Sequence, residues 1–388
     1  MDFFGEIEDV TFMPARRRSG DDETSSTSPT ERVTIQDVAR AAGVSNSSVS
    51  NYMNGNLHRL GVDARNRISD AIASLNFHPN QAARQLKTGK TRGIALVVPS
   101  IVNPFNGHLV FSIEQAAVKA GYGVHLCNTM RNTKLEKDFL DNLVGIGVTS
   151  LITIAPSNSR NGFYSMRPEL SVVAVDANRA DLKLAKVDTV NMDHEAAVAL
   201  AAEHLYNLGH RQIAYVTDPL ITHSRAMRLS GFRKAMKEYG LSDKGVVLLE
   251  RGGDVPDIAD AEMVDVGRQA AAEVLAQTPR PTAVIAFNDM IALGLLASFR
   301  ATGVSVPKDI SLVGVDDVWV SQLSSPALTT VRQPIEAMAR VAVDRIIAPT
   351  SETGPGSDTL FLPELIVRET CAEPKIATSP RAPKPLKS

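Results

Sequence analysis

Near the N-terminus, apolar residues recur at three- and four-residue spacing in two short segments that a turn separates. The first segment predicts a helix whose apolar face is formed by Ile35, Val38, Ala39 and Ala42. Thr34 stands where an N-cap is expected, and Asp37 in the first turn favours the positive end of the helix dipole. Gly43 permits a sharp turn, and Val44 can fill the angle between this helix and the next.

The second segment predicts a helix with one apolar and one polar face. Ser45 is its expected cap, and its inward-facing residues are Val49, Tyr52 and Met53. The opposite face carries short hydrogen-bonding side chains, namely Asn46, Ser47, Ser50 and Asn51. A helix of this kind, presented on a turn, suits the edges of base pairs in a DNA major groove. An ordinary two-helix hairpin with a solvated polar face is the alternative.

A third helical pattern covers residues 63–77, and beyond it short β-rich runs alternate with longer helical patterns. The predicted strands are Ile94–Val98, Val124–Cys127, Leu151–Ile154, Val172–Val175, Ile213–Val216, Ala283–Ala286 and Ser311–Val315. Nearly continuous apolar strands that alternate with helices predict an α/β fold with parallel sheets covered on both faces. No glycine-rich phosphate loop follows a predicted strand, so we expect no nucleotide cofactor.

The bulk composition of the 388-residue chain is that of an ordinary globular protein, with a hydrophobic share of 44%. No apolar run approaches the roughly 20 residues that span a bilayer, and the N-terminus lacks the pattern of a secretory signal. The cysteines are Cys127 and Cys371, which fits a reducing cytoplasm and neither a disulfide framework nor a metal cluster. We therefore expect a cytoplasmic protein without membrane contact, metal or cofactor.

The net charge of −2 becomes informative when the chain is divided. Residues 32–92 hold nine basic and three acidic residues, a net charge of +6, whereas residues 1–31 carry a net charge of −5. A positive segment on a slightly negative chain is typical of a nucleic-acid-binding head on a body that binds something else. The composition of 1–31 predicts a disordered leader, and the proline-rich end at 371–388 predicts a flexible tail.

Several further short motifs follow one another along the chain. Residues 78–89 read HPNQAARQLKTG, and GIALVVP at 93–99 and NPF at 103–105 follow. Farther along stand EHL at 203–205, LGHR at 208–211, PTA at 281–283, FND at 287–289, VGVDD at 313–317 and LTTVRQP at 328–334. In their order and spacing, these motifs closely resemble those of the lactose-repressor/galactose-repressor family of bacterial transcription regulators. The resemblance extends from about Val33 to about Glu369.

The resemblance implies an N-terminal helix-turn-helix headpiece at 32–92, with a hinge helix at 80–87, and a periplasmic-binding-protein-like core at 93–370. The core is expected to contain two subdomains of parallel sheets flanked by helices. We expect the first at about 93–187 and 332–350, and the second at about 188–331 and 358–370. Ligands of open α/β sheets bind outside the carboxyl ends of strands, so the cleft between the subdomains is the expected effector site.

In the headpiece, the resemblance assigns operator reading to Asn46 and Ser47, with Asn51 one turn further on. The family commonly has an arginine at this last position. Arginine favours guanine, whereas asparagine pairs with adenine, so we expect an altered half-site preference. A solvent-facing polar role for Asn51 is the alternative. The residues expected to contact phosphates or to cap helices are Thr34, Ser45, Ser50 and Asn54.

The hinge helix is expected to form only on DNA. Asn80 can cap a helix through Lys87 that is too short to persist alone in water. In the family this helix enters the minor groove beside its dimer mate. The resemblance makes Leu86 a wedge in the central base step, and Ala83 a small residue that lets the two helices approach. An ordinary packed leucine is the alternative for Leu86.

In the cleft, the resemblance points to effector-binding residues from both subdomains: Asn103, Phe105, Asp176, Arg228, Asn288 and Asp316. Carboxylates, an amide and a guanidinium can bind sugar hydroxyls in pairs, while an aromatic ring covers the apolar face of the sugar. Trp319 could supply such a ring or belong to the core. Asp289 and Asp317 are expected to cap helices or hold loops.

These observations predict a homodimeric DNA-binding transcription regulator that acts as a repressor. The expected effector that controls it is a small molecule, a sugar, bound in the cleft. The partners are double-stranded, pseudo-palindromic operator DNA, the effector and a second copy of the chain. A solute-binding protein of a transport system shares the core fold but lacks the basic head and would need a signal peptide. A regulator with a protein effector also stays open, whereas no nucleophile–base set or metal spacing indicates an enzyme. The proline-rich tail cannot form a tetramerisation helix, so we expect a dimer.

Overall fold

The computed structural model describes residues 33–53, 55–77, 92–156, 170–182, 187–219, 222–248, 263–348 and 356–375. The described residues form two compact units, an N-terminal headpiece and a core that begins near residue 92. The proposed contacts at Asn54, Asn80, Ala83 and Leu86 lie outside the described residues, as do the expected leader and residues 376–388.

The described headpiece residues form α1 (Ile35–Ala42), α2 (Asn46–Met53), a short 3₁₀ helix (Leu57–Arg59) and α3 (Val62–Ser74). A capping box begins α1, since the Asp37 backbone N–H donates to Thr34 Oγ1 and the Thr34 N–H donates to Asp37 Oδ2 at 2.9 Å. Gly43 ends α1 with a left-handed φ of 61°, which makes the turn to α2 possible.

The three headpiece helices share one small core. Its buried residues include Val38, Ala39, Ala42, Val49, Leu60, Ile68 and Ala71. Ser45 caps α2 by accepting the Ser48 N–H at 3.2 Å. The predicted helix-turn-helix and its inward-facing residues are thereby confirmed. The third helix ends at Ser74 rather than Phe77, because Asn76 adopts a positive φ of 45° that a helix cannot continue through.

In the core, the first sheet contains β1 (Gly93–Val98), β2 (Gly123–Asn128), β3 (Ser150–Ile154), β4 (Ser171–Val175), β5 (Val187–Met192) and β11 (Asp358–Phe361). Its strand order is β11-β5-β4-β3-β1-β2, and all the described pairs are parallel. Helices α4 (Pro104–Lys119) and α11 (Ile335–Ile347) cover one face, and α5 (Thr133–Gly145) and α6 (Arg179–Leu182) cover the other.

The second sheet contains β6 (Ile213–Thr217), β7 (Val246–Leu248), β8 (Ala283–Ala286), β9 (Ser311–Asp316), β10 (Thr329–Arg332) and β12 (Glu364–Ile366). Its order is β12-β10-β9-β8-β6-β7, and β12 runs antiparallel to β10. Helix α7 (His194–Asn207) packs against α8 (His223–Glu238), and α9 (Met263–Ala276) packs against α10 (Asp289–Ala301). The α/β fold with two flanked parallel sheets is confirmed.

Two expected subdomain boundaries are wrong. Strand β5 pairs with β4 and with β11, so residues 188–192 belong to the first subdomain and not to the second. Residues 358–361 also belong to the first sheet, and only the strand that begins at Glu364 joins the second. The chain thus crosses between the subdomains after Met192, after Arg332 and after Phe361. The polar residues within β5 concealed this strand, although Val187, Val190 and Met192 are buried.

The first five residues of the tail predicted at 371–388 pack on the core. The Leu312 N–H donates to the Thr370 carbonyl at 2.9 Å, and the imidazole of His210 contacts the Ala372 carbonyl at 2.9 Å. Lys375 pairs with Asp309 at 2.5 Å. Residues 371–375 therefore pack on the second subdomain, and the expectation of a flexible tail is wrong for them. Composition misled the prediction because it cannot register long-range contacts. Within the described parts of the chain, none of the helices combines the length and apolarity of a membrane span.

Candidate functional site

The polar side chains of α2 lie on the face of the helix that the sequence spacing predicted. Asn46 and Ser47 are exposed, and Ser50 and Asn51 are half-buried, whereas Val49 on the opposite face is fully buried. The Ser45 hydroxyl lies 2.7 Å from Ser47 Oγ and 2.9 Å from Ser48 Oγ. This hydroxyl therefore stabilises the first turn of α2, the expected reading helix.

Cationic side chains lie on the other headpiece elements, namely α1, the 3₁₀ helix and α3. Arg40 on α1 pairs with Asp37 at 3.3 Å, and Arg65 on α3 donates to the Leu60 carbonyl at 3.0 Å. The hydrogen bond from Thr34 is the main cause that lowers the pKa of the exposed Asp37. Arg59 and Arg67 are exposed. Such a distribution suits phosphate contacts around an uncharged helix that is expected to read bases.

The second candidate site is a cavity between the two subdomains, at the carboxyl ends of the core strands. Six of the expected effector residues line it together: Asn103, Phe105, Asp176, Arg228, Asn288 and Asp316. Several lining residues have positive φ, including Arg131 at 57°, Ala155 at 42°, Asp176 at 56° and Asp316 at 125°. Non-glycine residues in these conformations cost free energy and concentrate at binding sites.

A hydrogen-bonded network crosses this cavity. Arg228 Nη2 donates to Asp316 Oδ1 at 3.1 Å, and Arg228 Nη1 donates to the Phe287 carbonyl at 2.6 Å. Gln333 Nε2 donates to the same Asp316 oxygen at 2.7 Å. Gln333 lies directly after Arg332, where the chain crosses to the first subdomain. The network therefore joins residues that line the cavity to a connection between the subdomains.

The other end of the network is His194, at the first crossing. Its Nε2 lies 3.1 Å from Asp176 Oδ1, and its Nδ1 lies 3.4 Å from Arg228 Nε. Because Arg228 Nε can only donate, His194 Nδ1 must accept, and the proton of the neutral ring sits on Nε2 and faces Asp176. Burial lowers the pKa of His194, which agrees with a neutral ring.

Two carboxylates respond to burial differently. Burial alone would raise the pKa of Asp176, but the hydrogen bond that His194 donates outweighs it, and the pKa falls below its usual range. Burial raises the pKa of Asp316, although Arg228 and Gln333 oppose the shift. Burial and the charge of Asp316 also raise the pKa of Asp289 to about 7.

Two asparagines hold their amide groups in fixed orientations at helix starts. Asn103 Oδ1 accepts the Phe105 N–H at 2.9 Å, and Asn288 Oδ1 accepts the Ile291 N–H at 3.0 Å. Because each oxygen is occupied in capping, each Nδ2 group is left to donate to a ligand. The two residues belong to different subdomains, so a bound molecule can bridge them.

Some lining residues were not found from the sequence. Arg225 pairs with the buried carboxylate of Asp218, and its Cζ lies 4.4 Å from the centre of the Phe287 ring. Arg228 lies 4.7 Å from the same ring centre. The three-residue spacing of Arg225 and Arg228 on one helix was the available signal. No local sequence pattern indicated that the ring of Phe287, at the end of an apolar strand, would contact both guanidinium groups.

Other expected residues lie away from the cavity lining. Trp319 begins a 3₁₀ helix, is 64% exposed and does not line the cavity. Asp289 Oδ2 accepts the Val318 N–H at 2.9 Å, and Asp317 pairs with Arg332 at 2.7 Å. Both aspartates hold loops, as predicted. His210 is buried between Thr282 and Ser311 and is a packed histidine.

Comparison with known proteins agrees with this arrangement. Residues 34–80 match the bacterial regulatory proteins of the lacI family, and residues 202–371 match a periplasmic binding protein-like domain. The HTH-type transcriptional regulator DegA of Bacillus subtilis (strain 168) is 32% identical over 309 residues, which cover 79% of this chain and 88% of DegA.

Solved structures show the same similarity. The lac repressor dimer bound to operator and the anti-inducer ONPF superposes with a TM-score of 0.75 at 26% identity, covering 88% of this chain and all of that chain. The complex of the transcriptional regulator CelR with cellobiose superposes with a TM-score of 0.62 at 27% identity, covering 87% of this chain and all of that one.

Proposed function

Because the chain belongs to the lacI family of bacterial regulatory proteins, and is thus a DNA-binding transcriptional regulator, we propose that it is a repressor controlled by a sugar in the core cleft. The observation that carries the proposal is the combination of two sites in one chain. An uncharged polar reading helix stands on the headpiece, and a buried guanidinium–carboxylate network lines the cleft. A solute-binding protein would have no use for the headpiece.

For DNA, the proposed readers are Asn46, Ser47 and Asn51. Thr34 and Ser45 cap helices, and their hydroxyl groups can donate to phosphate oxygens. Leu86 and the hinge segment are proposed on the family resemblance. The test is selection of binding sites from random-sequence duplex DNA by the purified full-length protein. Recovery of a two-fold symmetric site supports the proposal, whereas retention of no sequence above background would overturn it.

For the effector, the proposed contacts are Arg228, Asp316, Asp176 and the two capping amides. Guanidinium and carboxylate groups that already face each other can each bind adjacent hydroxyls, and Phe105 offers an aromatic face. CelR, a similar regulator, binds cellobiose. A protein effector would act on an outer surface and would not require this buried network.

The effector proposal is tested by thermal shift with D-glucose, D-xylose, D-ribose and cellobiose. A sugar at 100 times its Kd stabilises the folded state by about 2.7 kcal/mol, which raises the melting temperature. Arg228→Lys should remove the shift, because lysine lacks the planar fork. Arg233→Lys, an exposed change on the same helix, is the matched control and should retain it. A shift that survives Arg228→Lys would exclude this cavity.

We also propose that the protein is a cytoplasmic homodimer. Three apolar side chains of the first subdomain are exposed on adjacent elements: Phe111 (58%) and Val118 (60%) on α4, and Leu126 (42%) on β2. A patch of this kind is typical of a surface that a partner covers. Light scattering should give about 83 kDa, twice the 41.7 kDa of one chain. Phe111→Asp should lower it toward one chain, and an unchanged mass would place the interface elsewhere.

A further inference from the structure

We propose that α2 reads A·T base pairs, and that Asn51 selects an adenine in each half-site of the operator. The inference rests on the proposed function, since it requires that α2 enter the major groove. It goes beyond that function by naming the base pairs that this chain recognises.

The chemistry of α2 is the first argument. Helix Asn46–Met53 contains neither a basic nor an acidic residue. Guanine is read in the major groove by arginine or lysine, and cytosine by aspartate or glutamate, whereas adenine N6 and N7 are read by asparagine or glutamine. Serine hydroxyls are compatible with any base pair. Helix α2 therefore holds readers for adenine and lacks the specific readers for guanine and cytosine.

The packing of α2 fixes which residues face the DNA. Val49 is fully buried in the headpiece core, and Tyr52 and Met53 pack beside it. Ser47 and Asn51 are four residues apart and lie on the same side of the helix, away from this core. The Ser45 cap and the Val44 N–H bond to the Ala39 carbonyl (3.0 Å) hold the start of the helix on the turn.

The Asn51 amide is available for a base. Among the described residues it has no side-chain hydrogen-bond partner, while its backbone carbonyl accepts the Asn56 N–H at 2.9 Å. The backbone at this position is therefore anchored and the amide is not. Its half-buried position also limits the rotamer freedom that binding would remove. A bidentate contact with adenine would satisfy both the oxygen and the nitrogen.

The guanidinium groups of the described headpiece do not belong to α2. Arg40 is paired with Asp37, and Arg65 is bonded to the Leu60 carbonyl. Arg59 and Arg67 lie on the 3₁₀ helix and on α3. These cations are suited to phosphates on either side of the groove, which add affinity without base preference.

The test uses the full-length protein and the duplex that it selects from random-sequence DNA. The selected site should contain an invariant A·T pair at one position of each half-site. Replacing that pair by G·C in both half-sites should weaken wild-type binding at least 5-fold, the factor that corresponds to about 1 kcal/mol. Asn51→Arg should reverse the preference in favour of the G·C duplex.

The matched control is Asn66→Arg, which adds the same charge at an exposed position on α3. It should raise affinity for both duplexes equally and keep the preference for A·T. Asn51→Ala provides a second measurement if Asn51→Arg does not fold. It should bind the two duplexes about equally. A selected guanine at the position that Asn51 governs, or an Asn51→Ala loss that is the same on both duplexes, would overturn the inference. Absence of any selected site would instead overturn the proposed function.

Discussion

Removal of the Asp316 carboxylate tests whether the cleft network is a buried ion pair. The side chains of Arg228 and Asp316 are 3% and 7% exposed, so solvent screens their interaction little. Loss of one partner from a buried pair costs about 3–5 kcal/mol, because the remaining charge is left without compensation. Asp316→Ala also removes the acceptor of Gln333, but the two losses share one oxygen and do not add. We therefore expect about 3–5 kcal/mol of destabilisation.

A surface pair provides the matched control. Lys234 and Glu195 form an ion pair at 2.6 Å between two helices, but their side chains are 67% and 32% exposed. Exposed pairs contribute about 0–1 kcal/mol after solvent screening, so Lys234→Ala should change the unfolding free energy little. The two substitutions thus separate the effect of burial from the effect of losing an ion pair.

The assay is urea unfolding followed by the fluorescence of Trp319, the single tryptophan, which lies in the second subdomain close to Asp316. Because the chain has more than one folding unit, the transition reports on that subdomain. Arg228→Met combined with Asp316→Ala should recover part of the loss, since no unpaired charge then remains. A cost for Asp316→Ala no greater than that for Lys234→Ala would refute the view that the network is a desolvated ion pair.

Four further predictions follow from other parts of the molecule. Operator affinity should fall steeply between 50 and 200 mM salt because arginine and lysine contacts release counterions, and flat titrations would contradict this. Leu86→Ala should lower operator affinity and remove its dependence on the central base step, which a panel of central steps measures. Gly294→Ala should destabilise the core by about 1–3 kcal/mol in urea unfolding, because the added Cβ would lie 2.0 Å from the Val264 carbonyl oxygen. Gly145→Ala is the control and should not destabilise the core, because no atom lies within 4 Å of its added Cβ. The pKa of Asp289 is about 7 in the native state and about 3.9 in the unfolded state. Because the native state holds this proton more tightly, the free energy of unfolding should fall as the pH rises between those two values. Asp289→Asn should flatten this dependence of the unfolding free energy on pH.

Linkage provides a test of regulation that does not depend on the operator sequence. If a sugar in the cleft weakens operator binding by some factor, operator DNA must weaken binding of that sugar by the same factor. Calorimetric titration of the sugar, with and without saturating selected duplex, measures both sides. Equal sugar affinities in the two titrations would mean that the cleft does not regulate DNA binding.

Local pattern was sufficient for the headpiece and for most of the sheets. The apolar spacing of Ile35, Val38 and Ala42, with a cap before it and a glycine after it, determines α1 because all these contacts lie within a few residues. Strands such as Ala283–Ala286 were placed correctly because buried parallel strands are continuously apolar. The resemblance then supplied the cleft residues, of which six line one cavity.

Tertiary structure alone decided what depends on residues far apart in the chain. The alternating pattern of β5 does not reveal which sheet it joins; its pairing with β11, some 170 residues later, does. The docking of residues 371–375 depends on His210 and Asp309, which composition cannot register. The neutral state and tautomer of His194 follow from Asp176 on one side and Arg228 on the other. Sequence periodicity records which side of an element is buried, whereas partners and protonation depend on distances that exist only after the chain has folded.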